Sequence, residues 1–173
     1  PKQPEVIETI EADKSGFEGR EYMGRRYHYM PYHLDSRLEI DILDTLHNLT
    51  VSKFPTLEIY YNGDRFMTDF HIKCYEKVGP NWKYIGRYTP DFLILQRVDG
   101  EIAKVVILET KGTLYANDPK FILRRKFVED YFIKENNAKF GYEMFDYLYI
   151  QDDMPDFQRI KLITDKINSF FEV

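Results

Sequence analysis

The sequence predicts an α/β fold, with elements in the order helix, strands, helix, strand, helix. Three observations carry that prediction. Residues 34–49 place apolar side chains at a helical period, residues 57–108 hold short apolar or alternating runs divided by turn residues, and the chain beyond Pro119 returns to helical periodicity around one alternating run.

The first helix opens at Ser36, which with Glu39 fits a capping box. Leu38, Ile42, Leu43 and Leu46 form its apolar stripe, while Asp41, Asp44 and Thr45 share the opposite face. Glu39 falls near the middle of the stripe. Two readings stand for it, as a cap alone or as a cap whose carboxylate is also directed toward a buried site. Residues 57–61 then alternate as a strand, Asn62-Gly63 reads as a tight turn, and residues 66–77 continue as a second strand. Gly79-Pro80-Asn81 turns the chain into a third strand over residues 82–88.

Residues 92–95 and 105–108 are apolar and β-branched without alternation, the pattern of strands buried on both faces, with a turn at Val98-Asp99-Gly100 between them. Asn117-Asp118-Pro119 announces the next helix, with Asp118 as N-cap and Pro119 at the first helical position. It is expected to reach about Asn136, with Phe121, Val128, Tyr131 and Phe132 inward. Residues 142–150 read as a further strand. Residues 155–171 read as a closing amphipathic helix packed through Phe157, Ile160, Ile163, Ile167 and Phe170.

At 173 residues, 43% hydrophobic and 16% aromatic, the chain suits one globular domain, expected over residues 31–173. Residues 1–30 are polar and irregular and read as an arm or linker. Arg20, Arg25 and Arg26 lie there among Tyr22, Tyr27 and Tyr29, a mixture that can touch nucleic acid or cover a neighbouring domain. The single cysteine, Cys74, precludes an intramolecular disulfide and is expected to pack in a reducing compartment. No apolar run reaches the length needed to span a bilayer, so a cytoplasmic protein is expected, with no membrane partner. The chain begins at Pro1 rather than methionine, which leads to the expectation of a segment of a longer polypeptide. His28, His33, His47 and His71 show no metal-ligand spacing.

The chemistry-bearing residues gather at the ends of the two buried strands. Asp91 opens the first, and Glu109 and Lys111 close the second. Side chains alternate along a strand, so Glu109 and Lys111 share a face, and a tight hairpin sets Asp91 beside them. Two close carboxylates repel, and one takes up a proton unless a cation settles the conflict. Carboxylate oxygens suit Mg²⁺ or Mn²⁺, and such an ion with a lysine nearby activates water against a phosphodiester.

The wording Tyr88-Thr89-Pro90-Asp91-Phe92 followed by Leu108-Glu109-Thr110-Lys111-Gly112 resembles the PD-(D/E)xK nuclease superfamily, and within it the C-terminal endonuclease domain of type III restriction enzyme Res subunits. The likeness covers roughly residues 32–150 and is strongest over the two strands. It implies a restriction-endonuclease-like core, a mixed sheet of about four to six strands flanked by helices. It also implies a metal-dependent DNA endonuclease in which Asp91, Glu109 and the Thr110 carbonyl hold Mg²⁺ (or Mn²⁺), with Glu39 completing the shell or supporting a second ion. Lys111 is then expected to orient the attacking water and stabilise charge on the phosphate.

The region 120–139 is rich in Lys and Arg, which reads either as a solvated face or as a phosphate-binding edge, with Lys120 and Arg124 nearest Lys111. A net charge of -5 gives little long-range attraction to DNA, so specificity is expected to come from elsewhere. The resemblance supplies a fused helicase-like ATPase region, through which alone ATP would act, and a separate modification (methyltransferase) subunit. The alternatives are a non-catalytic docking module on the same fold, and a nuclease acting on RNA or single strands.

Overall fold

The computed structural model describes residues 36–63 and 70–172. The arm expected over residues 1–30, the first residues of the strand expected at 66, and His28 and His33 lie outside the described residues. The elements are α1 (Arg37–Ser52), β1 (Leu57–Tyr61), β2 (Ile72–Val78), β3 (Asn81–Tyr88), β4 (Phe92–Val98) and β5 (Glu101–Lys111). After these come α2 (Thr113–Ala116), α3 (Pro119–Phe127), α4 (Ile133–Phe140), β6 (Phe145–Gln151) and α5 (Asp156–Phe171). The α/β class and the mixed sheet flanked by helices are as the sequence predicts.

The sheet is four-stranded in the order β1-β4-β5-β6. β1 and β4 are antiparallel, β4 and β5 are antiparallel, and β5 and β6 run parallel. β5 is therefore central, and residues 105–110 are buried without interruption. Its hairpin with β4 turns through Asp99 and Gly100 at φ 53° and 86°, the left-handed conformation that a two-residue turn between twisted strands needs.

Strand alternation divides the core into two layers. Ile94, Val106 and Leu108 pack with Ile42 and Leu46 of α1 and with Ile163 and Ile167 of α5. Leu93, Leu95, Val105 and Ile107 pack on the other side with Ile72, Cys74, Val128 and Phe132. Burial pushes the Cys74 thiol up to about 12, which fits its packing role.

Four expectations are corrected. β2 and β3 do not extend the main sheet. They form a separate two-stranded sheet, and β1 pairs with β4 across the chain. The signal Asn62-Gly63 does not join β1 to β2 as a hairpin, since β1 pairs with β4 and β2 with β3. The helix expected to stop near Asn136 continues to Phe140 by way of a π-helical turn at Val128–Phe132, and stops where Gly141 adopts φ 78° and donates its N–H to the Asn137 carbonyl at 2.9 Å. Finally, Phe157 and Ile160 of α5 are 69% and 44% exposed, since the layer beneath is filled by Ile163, Ile167, Phe170 and Phe171 from the helix's later turns.

Candidate active site

The register of the β4–β5 hairpin pairs Phe92 with Leu108, so Asp91 stands opposite Glu109. Thr110 fixes the aspartate by donating its backbone N–H and its hydroxyl to Oδ2 at 2.8 and 2.6 Å. The backbone ahead of Asp91 is held from β1. The Asn62 side-chain amide donates to the Phe70 and Pro90 carbonyls at 2.8 and 2.9 Å, while the Asn62 and Gly63 N–H groups donate to the Asp91 carbonyl at 2.7 and 3.1 Å. A buried Asn that closes so many bonds locks the turn from which Asp91 projects.

Glu109 is 2% exposed. Lys111 Nζ donates to its Oε1 at 3.2 Å and the Tyr88 hydroxyl donates to its Oε2 at 2.9 Å. The ammonium of Lys111 also lies 4.6 Å from the centre of the Phe121 ring. Behind Tyr88 stands the Tyr147 hydroxyl at 2.8 Å. Burial first, and Glu109 next, hold both phenols protonated and so able to donate.

Glu39 lies on α1 as expected. Its backbone N–H donates to Ser36 Oγ at 3.2 Å, so the helix cap is real, and its carboxylate accepts from the Tyr61 hydroxyl at 2.9 Å. It is half-buried and lies close enough to raise the pKa of Asp91. The three carboxylates and the lysine thus share one electrostatic environment.

Burial is the main influence on the two central acids. It raises Asp91 to about 6, with Thr110 lowering it, Glu39 raising it and Lys111 lowering it by smaller amounts. It raises Glu109 to about 8, with Asp91 pushing further up and Lys111 pulling down. Near neutral pH the pair cannot hold both charges without help, and it titrates as a unit.

Among the described residues, no group of three or more His, Cys, Asp or Glu side chains is spaced to hold a metal ion. Tyr61 of β1 holds Glu39 of α1, and Thr110 of β5 holds Asp91 at the start of β4. The donor chemistry still fits a hard divalent cation. A buried and a half-buried carboxylate in mutual conflict face a single lysine, and Thr110 takes only one oxygen of Asp91.

Lys120 and Arg124 do reach the neighbourhood of Lys111. With Arg87, Tyr88, Glu109 and Lys111 they line a cleft of about 370 Å³ between β3 and α3. The Asp118 cap that positions α3 accepts from the N–H groups of Lys120 and Phe121 at 2.7 and 3.1 Å. Sequence reading missed Arg87, Tyr88 and Tyr147 because each comes from a strand whose partner and facing were not legible. Tyr88 stands just ahead of Pro90-Asp91 and offered the one signal: a phenol three residues from a candidate acid.

No family model, curated protein or solved structure matches the chain. Among the described residues no helix is long and apolar enough to cross a membrane.

Proposed function

We propose that this chain is a metal-dependent DNA endonuclease domain of the PD-(D/E)xK type with a restriction-endonuclease-like core, similar to the cleavage domain of type III restriction enzymes. The observation that carries the reading is Asp91 opposite Glu109 on the β4–β5 hairpin, with Lys111 bonded to Glu109 on the same strand. A helix followed by strands in the order β1-β4-β5-β6, the last pair parallel around α3 and α4, supports it as the frame that sets those three residues.

Asp91, Glu109 and the Thr110 carbonyl would hold Mg²⁺ or Mn²⁺, and Glu39 would supply the further carboxylate. The bound ion would lower the pKa of water and offset charge on the phosphate. Lys111 is partly exposed, with its ammonium bonded to Glu109 beside the Phe121 ring, and would orient the attacking water once a cation takes up the Glu109 charge. As water oxygen bonds to phosphorus and the bond to the leaving oxygen breaks, the same ammonium stabilises the charge on the phosphoryl oxygens. DNA recognition would come from a fused helicase-like ATPase region and a modification subunit, in keeping with the acidic net charge of -5.

A second reading is a non-catalytic docking module. It is favoured by one observation: Thr110, Tyr88, Lys111 and Tyr61 already satisfy the carboxylates from within the protein. Two variants separate the readings, with Mg²⁺ binding followed by calorimetry and cleavage followed on plasmid DNA. Lys111→Ala is expected to keep or strengthen Mg²⁺ binding, because a positive charge beside the cation is removed, and to lose cleavage on the order of a hundredfold or more. Asp91→Ala is expected to lose both. Unchanged Mg²⁺ binding in Asp91→Ala, or parent-rate cleavage by Lys111→Ala, contradicts the nuclease assignment.

A further inference from the structure

The cleft between β3 and α3 holds more positive charge than its own residues use. Among the described residues, Arg87, Lys120 and Arg124 all line it, and none of the three makes a side-chain hydrogen bond or ion pair. The two acids on its wall are already committed. Asp118 accepts from the first N–H groups of α3, and Glu109 accepts from Tyr88 and Lys111.

Arg124 is the informative member. Its Nε is buried and has no acceptor, the sole such side-chain nitrogen or oxygen among the described residues. A buried donor left unmade costs about 1–3 kcal/mol, more for a charged group, so its persistence points to an acceptor that arrives from outside. The backbone has been shaped to admit it. Gly86 sits at φ 119°, beside a bulge where Cys74 pairs with Gly86 but Tyr75 pairs with Tyr84. A Cβ at Gly86 would lie 3.1 Å from Arg124 Nε and 3.2 Å from its Nη2, so any other residue would push the guanidinium aside by a few tenths of an ångström and would be strained at that φ.

We propose that this cleft is a clamp for a backbone phosphate of a nucleic acid strand, gripped by Arg87, Lys120 and Arg124 and flanking the phosphate that Lys111 faces. The clamp rests on the nuclease reading and extends it from bond cleavage to strand placement. The arginine fork matches two oxygens of a phosphate, and three converging cations exceed what a single carboxylate would need. Tyr115, 67% exposed on the same cleft, offers a flat face to the adjoining sugar or base.

The test uses the 173-residue chain in EDTA and a short fluorescent single-stranded DNA, with anisotropy measured across a salt series. The parent is expected to bind, with log affinity falling linearly against log salt. Arg87→Gln and Arg124→Gln should each weaken binding about tenfold, and each should reduce the salt slope by about 0.7. Arg124→Lys should restore the slope but not the full affinity, because the charge returns without the fork. Arg87 is exposed, so its variant folds whatever happens at the half-buried Arg124.

No binding by the parent at low salt, or unchanged affinity and slope in Arg87→Gln and Arg124→Gln, overturns the clamp. Equal binding of an oligonucleotide with an uncharged backbone overturns it as well. The assay contains no metal and reads no cleavage, so failure of the metal chemistry leaves its outcome intact. Conversely, parent-like DNA binding in the variants sinks the clamp whether or not the chain cuts DNA.

Discussion

The two faces of β5 part company at Leu108. On the α1 and α5 side, Val106 and Leu108 remain in a continuous apolar layer, and the strand ends with Thr110 bonded to Asp91. On the α3 side, Val105 and Ile107 are equally apolar, but the next two positions are Glu109 and Lys111, tied to Tyr88, Tyr147 and Phe121. One strand therefore serves as core and as site with a single backbone conformation. The side that stays apolar supplies the rigidity, and the side that turns polar carries Glu109, whose conflict with Asp91 a cation would resolve.

That contrast predicts unequal responses to substitution. Ile94→Ala, in the apolar layer, should destabilise the chain by about 2–5 kcal/mol through lost burial and a cavity, read from urea unfolding. Ile160→Ala on the exposed turn of α5 should stay within about 0.5 kcal/mol. Equal costs at the two positions would show that the α5 packing described here is wrong.

On the polar side the effect depends on pH. The folded chain holds a proton on Glu109 up to about 8, against an ordinary value of 4.5, and on Asp91 up to about 6, against 3.8. Between those limits the native state binds more protons than the unfolded one, so stability falls as pH rises from about 4 to about 8 and then levels off. Thermal melts without divalent cations should show that decline, and Mg²⁺ should restore stability at the alkaline end. Glu109→Gln should remove the fall above about pH 6 and leave the portion that belongs to Asp91. Gln keeps an acceptor for Lys111, and its amide can donate to the Tyr88 hydroxyl. A parent whose melting temperature climbs from pH 5 to pH 8 would refute the buried-acid account.

Glu39 should give the smallest effect on folding. Ser36 caps α1 through a backbone N–H, and Gln can still accept from Tyr61, so Glu39→Gln should melt like the parent. It should nevertheless cleave more slowly at limiting metal. Identical cleavage under those conditions would assign the residue to the helix start alone.

Much of this was legible because it depends on short-range pattern. The unbroken apolar runs at 92–95 and 105–108 located the hairpin, Asp99-Gly100 its turn, and alternation the shared face of Glu109 and Lys111. Ser36 and Asp118 announced their helices through capping chemistry. What stayed hidden depended on pairing over distance. Asn62-Gly63 looked like a hairpin turn, yet Asn62 works on Pro90 and Phe70, and no local signal says so. The separate β2–β3 sheet hid the approach of Gly86 to Arg124 in the same way. Phe157 and Ile160 fit a helical stripe but stay exposed among the described residues, because periodicity gives the direction of a face and not the extent of its partner.

The central claim is that Asp91 and Glu109 form one cation site. A crystal of the chain soaked in Mn²⁺ and examined by anomalous diffraction tests it most directly. The account predicts a peak within coordination distance of both carboxylates, with the Lys111 ammonium displaced from Glu109 toward the strand end. A crystal in which Lys111 still bonds Glu109 and Mn²⁺ is absent from the pair, at a concentration that loads other acidic sites, would contradict it.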